Sequence, residues 1–127
     1  MTNPEDKKIL IVEDELAILQ ATKISIQNEG FEVYTAKNGK QGLDLAIAKK
    51  PDLILLDIIM PVMDGMTMLE KLREDEWGKN VEVILLTSLS DAKQVANALE
   101  KGVTDYLIKS DMDLKDVVAK VKNKLGI

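Results

Sequence analysis

Four short apolar runs, each followed at once by a chemically reactive side chain, constrain the fold of this chain most. The runs are residues 9–12, 53–56, 83–86 and 106–108, and they lead into Glu13 with Asp14, Asp57, Thr87 and Lys109. Continuous apolar runs of this length indicate strands that are buried on both faces, as in a parallel sheet. The carboxyl ends of parallel strands share one edge of the sheet. The pattern therefore predicts one cleft that contains three carboxylates, a hydroxyl and an ammonium.

Helical patterns separate these runs and complete a strict alternation of strands and helices. Apolar spacing and stop signals predict helices over residues 15–29, after a turn at 38–39 up to Pro51, from 64–65 through Leu72, over 91–101 and over 114–125. Residues 31–36 alternate between apolar and polar side chains, which is typical of a half-exposed edge strand. We therefore expect an α/β protein with a doubly wound, flavodoxin-like (βα)5 fold and a five-stranded parallel sheet in the order 2-1-3-4-5. In that order Glu13 and Asp14 face Asp57 across the crevice.

The composition narrows the classes of function. The 127 residues suit one domain, which we expect at residues 7–127 behind a flexible tail at 1–6. The chain contains no cysteine and no histidine, so a bound metal must have oxygen ligands, as Mg²⁺, Ca²⁺ and Mn²⁺ do. The net charge of −5 argues against binding to nucleic acid or anionic membranes. No stretch resembles a membrane span or a signal peptide, and we expect a cytoplasmic protein.

The acidic residues at the strand ends predict a divalent cation site. Packed carboxylates repel one another unless a cation lies among them. We expect Asp14 and Asp57 to be direct ligands of Mg²⁺, with Mn²⁺ as a substitute, and Glu13 to act through water. The backbone carbonyl of Ile59 completes the predicted set.

Phosphoryl chemistry fits the same cleft. A carboxylate can act as a nucleophile and form an aspartyl phosphate, and Asp57 is the candidate. Lys109 and the cation would neutralise charge on the transferred group, and Thr87 would donate a hydrogen bond to it.

Four segments resemble the receiver domain of two-component response regulators, over nearly the whole chain. They are ILIVEDE at 9–15, DIIMPVMDG at 57–65, LTS at 86–88 and GVTDYLIK at 102–109. The resemblance implies that Asp57 is the phospho-acceptor and that Glu13 and Asp14 bind the metal. It also implies that Thr87 and Lys109 contact the phosphoryl group and that Tyr106 is the aromatic switch residue.

The resemblance carries expectations about partners as well. A sensor histidine kinase or a histidine phosphotransfer protein would supply the phosphoryl group. A downstream protein would bind the face formed by helix 4, strand 5 and helix 5 after a conformational switch, and the chain would be a monomer or a phosphorylation-dependent dimer. The domain would not be an enzyme, apart from slow self-dephosphorylation at most.

The sequence departs from the family pattern at several positions, among them Glu82, which stands where a proline is common. Ser110 follows Lys109 where the family usually has proline after a cis peptide, so this peptide is either trans or strained, and the hydroxyl is a candidate cap for the last helix. Ile59 and Leu89 are apolar at positions that flank the route of water to the phosphoryl group. We therefore predict a long-lived phosphorylated form.

The sequence also allows other interpretations of these residues and of the site. Taken alone, Glu13 or Asp14 could be a helix N-cap, and Lys109 could be a solvated cation. A phosphatase of the haloacid dehalogenase type needs a second aspartate where Ile59 stands, and also a cap domain. A flavodoxin-like carrier of FMN needs a first loop that cradles phosphate, which the acids at 13–15 would repel. A receiver-like scaffold that takes no phosphate would not need the full set of groups.

Overall fold

The fold is a parallel sheet of five strands. The computed structural model describes residues 3–88, 92–103, 105–111 and 113–127. The strands are β1 (Lys8–Val12), β2 (Glu32–Ala36), β3 (Leu53–Asp57), β4 (Glu82–Thr87) and β5 (Asp105–Ile108). They pair in the order β2-β1-β3-β4-β5, and every pairing is parallel. The predicted fold class and strand order are confirmed.

Five α-helices alternate with the strands: α1 (Leu16–Asn28), α2 (Gly39–Lys49), α3 (Gly65–Glu74), α4 (Ala92–Glu100) and α5 (Leu114–Leu125). Side chains cap three of them, because Asn38, Asp64 and Asp113 accept hydrogen bonds from the first turns of α2, α3 and α5. Asp113, rather than the hydroxyl of Ser110, therefore caps the last helix. The predicted start of α4 at Asp91 lies outside the described residues.

The sheet lies between two apolar cores. Alternate residues of one strand point to opposite faces, so Leu10 and Ile11 belong to different cores. One core packs against α2 and α3 through Ala46 and Leu69, and the other packs against α1 and α5. The three middle strands are almost fully buried. This burial fixes the strand register, and the register fixes which residues emerge at the carboxyl edge.

The edge strand β2 is more exposed than the three middle strands. Strand β2 lies at one edge of the sheet and is half-exposed, as its alternating sequence predicts.

Before β1, Pro4–Asp6 forms one turn of 3₁₀-helix, closed by a hydrogen bond of 2.9 Å from the Lys7 N–H to the Pro4 carbonyl. The division into a tail at 1–6 and a domain at 7–127 remains a prediction. Among the described residues, no helix combines the length and the apolar character that crossing a membrane requires.

Candidate functional site

Three carboxylates meet where β1 and β3 end. Glu13 follows β1 and is 0% exposed, and its N–H donates to the carbonyl of Ala36 over 3.0 Å. Asp14 is exposed, and Asp57 is the buried last residue of β3. One carboxylate oxygen from each of Glu13, Asp14 and Asp57 lies within 4.8 Å of the others. The structure thus brings together the acids that the sequence places at two neighbouring strand ends.

Lys109 reaches this cluster from the end of β5, the edge strand two positions from β3 in the sheet. It lies directly after β5, at the start of a 3₁₀ turn over Lys109–Asp111. Its Nζ atom is 2.6 Å from Glu15 Oε1, 2.9 Å from Glu13 Oε1 and 3.2 Å from Asp57 Oδ2. The lysine is therefore not a solvated cation but an internal counter-ion of the acidic cluster.

The cluster changes the proton affinity of its members. Burial, followed by the neighbouring Glu13 carboxylate, raises the pKa of Asp57 to about 8, although Lys109 acts in the opposite direction. Burial lowers the pKa of Lys109, but the hydrogen bond to Glu15 and the contacts with Glu13 and Asp57 outweigh it, so this pKa lies above its usual range. In the absence of a cation, two buried carboxylates thus compete for one ammonium.

The donor set fits a hard divalent cation. Three carboxylates converge, and Glu13 Oε1 is a buried oxygen that accepts no hydrogen bond from the described residues. Its contact of 2.9 Å with Lys109 Nζ is an ion pair without the direction of a hydrogen bond. Buried carboxylate oxygens that lack donors are expected where a metal ion belongs.

The acids open into a cleft of about 560 Å³. Ile59 lies on the rim of this cleft and is 65% exposed. The residue predicted to offer its backbone carbonyl to the cation is therefore beside the cleft. The use of that carbonyl as a metal ligand remains a prediction. The cleft is lined by Asp14, Glu15, Ile18, Asp57, Ile59, Ser88, Lys109 and Ser110.

Thr87 and Tyr106 lie together in a second, smaller cleft of about 190 Å³. Thr87 is buried at the end of β4, and its hydroxyl donates to the carbonyl of Ser88 over 3.1 Å. Tyr106 is 44% exposed. Ser88 lines both clefts, so the two are separated by a single residue of the chain. The predicted phosphoryl contact and the predicted switch residue are therefore neighbours.

The loop between β3 and α3 fixes the backbone at Asp57. The N–H of Gly65 donates to the carbonyl of Ile58 over 2.7 Å, and a β-carbon at Gly65 would lie 2.0 Å from the carbonyl oxygen of Asp57. Only glycine permits this approach. The same loop holds Val62 at a φ of 68°, a left-handed conformation that is rare for a β-branched residue.

Two departures from the family pattern have different outcomes. The peptide between Lys109 and Ser110 is trans, which decides the first alternative. Leu89, the second apolar residue predicted beside the water route, lies outside the described residues.

Sequence reasoning gave no role to Glu15, although it forms the shortest contact to Lys109. The available signal was its place in the run of three acids at 13–15. Strand periodicity could not show that its side chain turns back over the cleft.

Comparison with known proteins agrees with the geometry. The family model of the response regulator receiver domain matches residues 9–122. A DNA-binding dual master transcriptional regulator from Synechocystis sp. is 35% identical over 91% of this chain and 47% of its own length. Response regulator PleD from Caulobacter vibrioides is 37% identical over 80% of this chain and 22% of its own. This chain thus spans less than half of either relative.

Solved structures show the same likeness. A CheY-like receiver domain protein from Methanospirillum hungatei has a TM-score of 0.86 at 33% identity, covering 94% of both chains. A chain in the CheX-CheY-BeF3-Mg²⁺ complex from Borrelia burgdorferi has a TM-score of 0.84 at 29% identity, covering 94% of this chain and 89% of that one. With its sheet order and its family match together, the chain belongs to the receiver domains of two-component response regulators.

Proposed function

We propose that this chain is a phosphorylation-driven switch in which Asp57 accepts a phosphoryl group in a reaction that requires Mg²⁺. The observation that carries the proposal is the position of the Asp57 carboxylate between two further acids and the ammonium of Lys109. The donor would be a sensor histidine kinase or a histidine phosphotransfer protein.

Each member of the cluster has a distinct task in this proposal. Asp14 and Asp57 would hold the cation directly and Glu13 through water, with the Ile59 carbonyl as a further ligand. When bound, the cation, which could also be Mn²⁺, supplies positive charge that offsets the negative charge of the phosphoryl oxygens. The residues present fit it, because one oxygen from each of three carboxylates lies within 4.8 Å of the others.

The chemical step is a transfer to a carboxylate oxygen. An oxygen of ionised Asp57 attacks the phosphorus, a P–O bond forms, and the bond from phosphorus to the leaving group breaks with its electron pair going to the donor. Lys109, 3.2 Å from Asp57 Oδ2, would hold a phosphoryl oxygen. The chain would catalyse no reaction on another substrate and would at most lose its own phosphoryl group slowly.

The signal would pass to the second cleft. A phosphoryl group adds charge and three strong acceptors, and Thr87 at the end of β4 would donate to one of them. Because Ser88 lines both clefts, a shift of Thr87 would alter the space beside Tyr106. The face of α4, β5 and α5 would then bind a downstream protein, with the chain as a monomer or a phosphorylation-dependent dimer.

Intact-mass measurement after incubation with acetyl phosphate and Mg²⁺ tests the proposal. We expect the wild type to gain the mass of one phosphoryl group and to lose the gain when a chelator replaces Mg²⁺. Asp57→Asn should gain nothing, whereas Asp44→Asn, which removes an exposed acid of α2, should behave as the wild type. A wild type without any gain would indicate a receiver-like scaffold, and an equal gain in Asp57→Asn would place the acceptor elsewhere.

A further inference from the structure

Lys109 has one more carboxylate around it than the proposed chemistry uses. Its Nζ atom contacts Glu13, Glu15 and Asp57, and the shortest of the three distances, 2.6 Å, is the one to Glu15. An ammonium has three N–H donors, of which two donate to Glu15 and Asp57, while Glu13 lies beside them as an ion-pair partner at 2.9 Å. Since the Lys109 side chain is only 15% exposed, a phosphoryl oxygen needs one of these places.

The three carboxylates differ in their freedom to leave. Glu13 is 0% exposed, and its Oε2 also accepts from the N–H of Glu15 over 3.3 Å, so it is fixed. Asp57 is the attachment point itself. Glu15 has 58% of its side chain exposed and can turn into water, where a carboxylate is well solvated.

The local structure also shows that Glu15 serves Lys109 rather than its own helix. Glu15 directly precedes α1, in the N-cap position, but its side chain makes no capping hydrogen bond. Its carboxylate instead contacts a lysine 94 positions away in the sequence. An acid beside a helix start would ordinarily interact with the N–H groups of the first turn.

We propose that Glu15 is a positioning residue, which holds the Lys109 ammonium over the cleft and gives up its place to a phosphoryl oxygen. The inference rests on the proposed phosphorylation of Asp57. Glu15 aligns the lysine in advance, and it also competes with the incoming group. Glu13 and Asp57 still contact Lys109 when the Glu15 contact is lost, so removal of the competitor outweighs the loss of alignment. Loss of the contact should therefore tighten the binding of a phosphoryl mimic and loosen the lysine in the unphosphorylated protein.

Two variants of Glu15 distinguish the loss of its contact with Lys109 from the loss of its negative charge. Glu15→Gln removes the charge, whereas Glu15→Asp keeps it but shortens the side chain by one methylene. A matched control is Glu76→Gln, because Glu76 is also an exposed glutamate paired with a lysine, at 3.3 Å from Lys79 Nζ. The binding probe is beryllofluoride with Mg²⁺, titrated by calorimetry into the full chain.

We expect both Glu15 variants to bind beryllofluoride about two- to fivefold more tightly than the wild type, the size expected for losing one exposed ion pair. The control should not change. Tighter binding by Glu15→Gln alone would overturn the proposal, because it would show a general effect of charge. Unchanged affinity in both variants would overturn it as well.

A second readout does not depend on phosphoryl binding. In the cation-free protein, the ¹⁵N signal of the Lys109 ammonium should be visible by NMR in the wild type and in Glu76→Gln. It should shift or disappear in both Glu15 variants. If the wild type binds no beryllofluoride, the proposed function fails, and this signal still decides whether Glu15 holds the lysine. An unchanged signal in the variants would contradict the positioning role.

Discussion

At the scale of single residues, the site places buried carboxylates beside an exposed apolar side chain. Glu13 and Asp57 are buried, and Ile59, on the rim of the same cleft, is 65% exposed. The identity of the acids and of Lys109 could be predicted from the sequence because each directly follows an apolar run. Glu15 could not, since the direction of a side chain beyond a strand end depends on a loop rather than on strand periodicity.

The exposed apolar side chain of Ile59 predicts slow loss of the phosphoryl group. Replacing it by asparagine should speed dephosphorylation several-fold, because an amide can hydrogen-bond the attacking water that the isoleucine excludes. The measurement is the decay of the phosphorylated mass after removal of acetyl phosphate. Val62→Asn is the matched control: it lies in the same loop, does not line the cleft, and its φ of 68° suits asparagine. Equal decay in Ile59→Asn and the wild type would contradict the prediction.

At the scale of elements, helix caps and turns were partly readable from the sequence. The predicted end of the first helix at residue 29 agrees with the structure to within one residue, and Gly30 follows it with a φ of 101°. The cap of α5 is Asp113 and not the hydroxyl of Ser110. The 3₁₀ turn at Pro4–Asp6 was not predicted, because a single short turn has no periodicity. The separation of Thr87 and Tyr106 into their own cleft was also not predicted, since shared strand edges say nothing about how the space between them is divided.

Arg73 connects helix α3 with the end of α4 and with the loop before β4. Arg73 in α3 donates from Nε to the carbonyl of Lys101 over 2.7 Å, and from Nη1 to the carbonyls of Gly78 and Val81 over 2.7 and 2.9 Å. Burial lowers the pKa of Arg73, and the charge of the nearby Glu82 acts in the opposite direction. This fork ties the end of α4 to the loop that leads into β4.

Replacing Arg73 by methionine should lower the free energy of unfolding by about 2–3 kcal/mol, because three carbonyls lose a charged donor. Urea unfolding followed by circular dichroism measures it. Arg73→Lys keeps the charge but not the fork, so it should fall between methionine and the wild type. A methionine variant as stable as the wild type would show that water satisfies these carbonyls.

At the scale of the whole molecule, stability depends on charges that link the last strand to the last helix. Burial raises the pKa of Asp105, but a hydrogen bond from Lys120 at 2.9 Å, the Tyr106 N–H and the charge of Lys124 outweigh it, so the pKa lies below its usual range. A carboxyl whose pKa is lower in the folded state adds stability above its unfolded pKa. That contribution is lost as the pH falls through the folded value.

Asp105→Asn should therefore cost about 0.5–1 kcal/mol at neutral pH, a value limited by the partial exposure of the pair. The difference from the wild type should shrink below about pH 4, where the unfolded carboxyl becomes protonated. Urea midpoints across a pH series measure it. Asp44→Asn, which breaks an exposed pair with Lys40 at 2.9 Å, should show a smaller loss. A cost for Asp105→Asn that persists undiminished in acid would assign its role to packing.

The contact between Glu15 and Lys109 has a consequence for biosynthesis. Its two residues are 94 positions apart, so the acids at 13–15 are translated long before their counter-ion. A domain generally folds as one unit during synthesis, once its residues are available. Until β5 joins the sheet, a growing chain carries an acidic cluster without its lysine, and such a chain could not present a complete site to a phosphate donor. Completion of the sheet and competence to receive a signal therefore coincide.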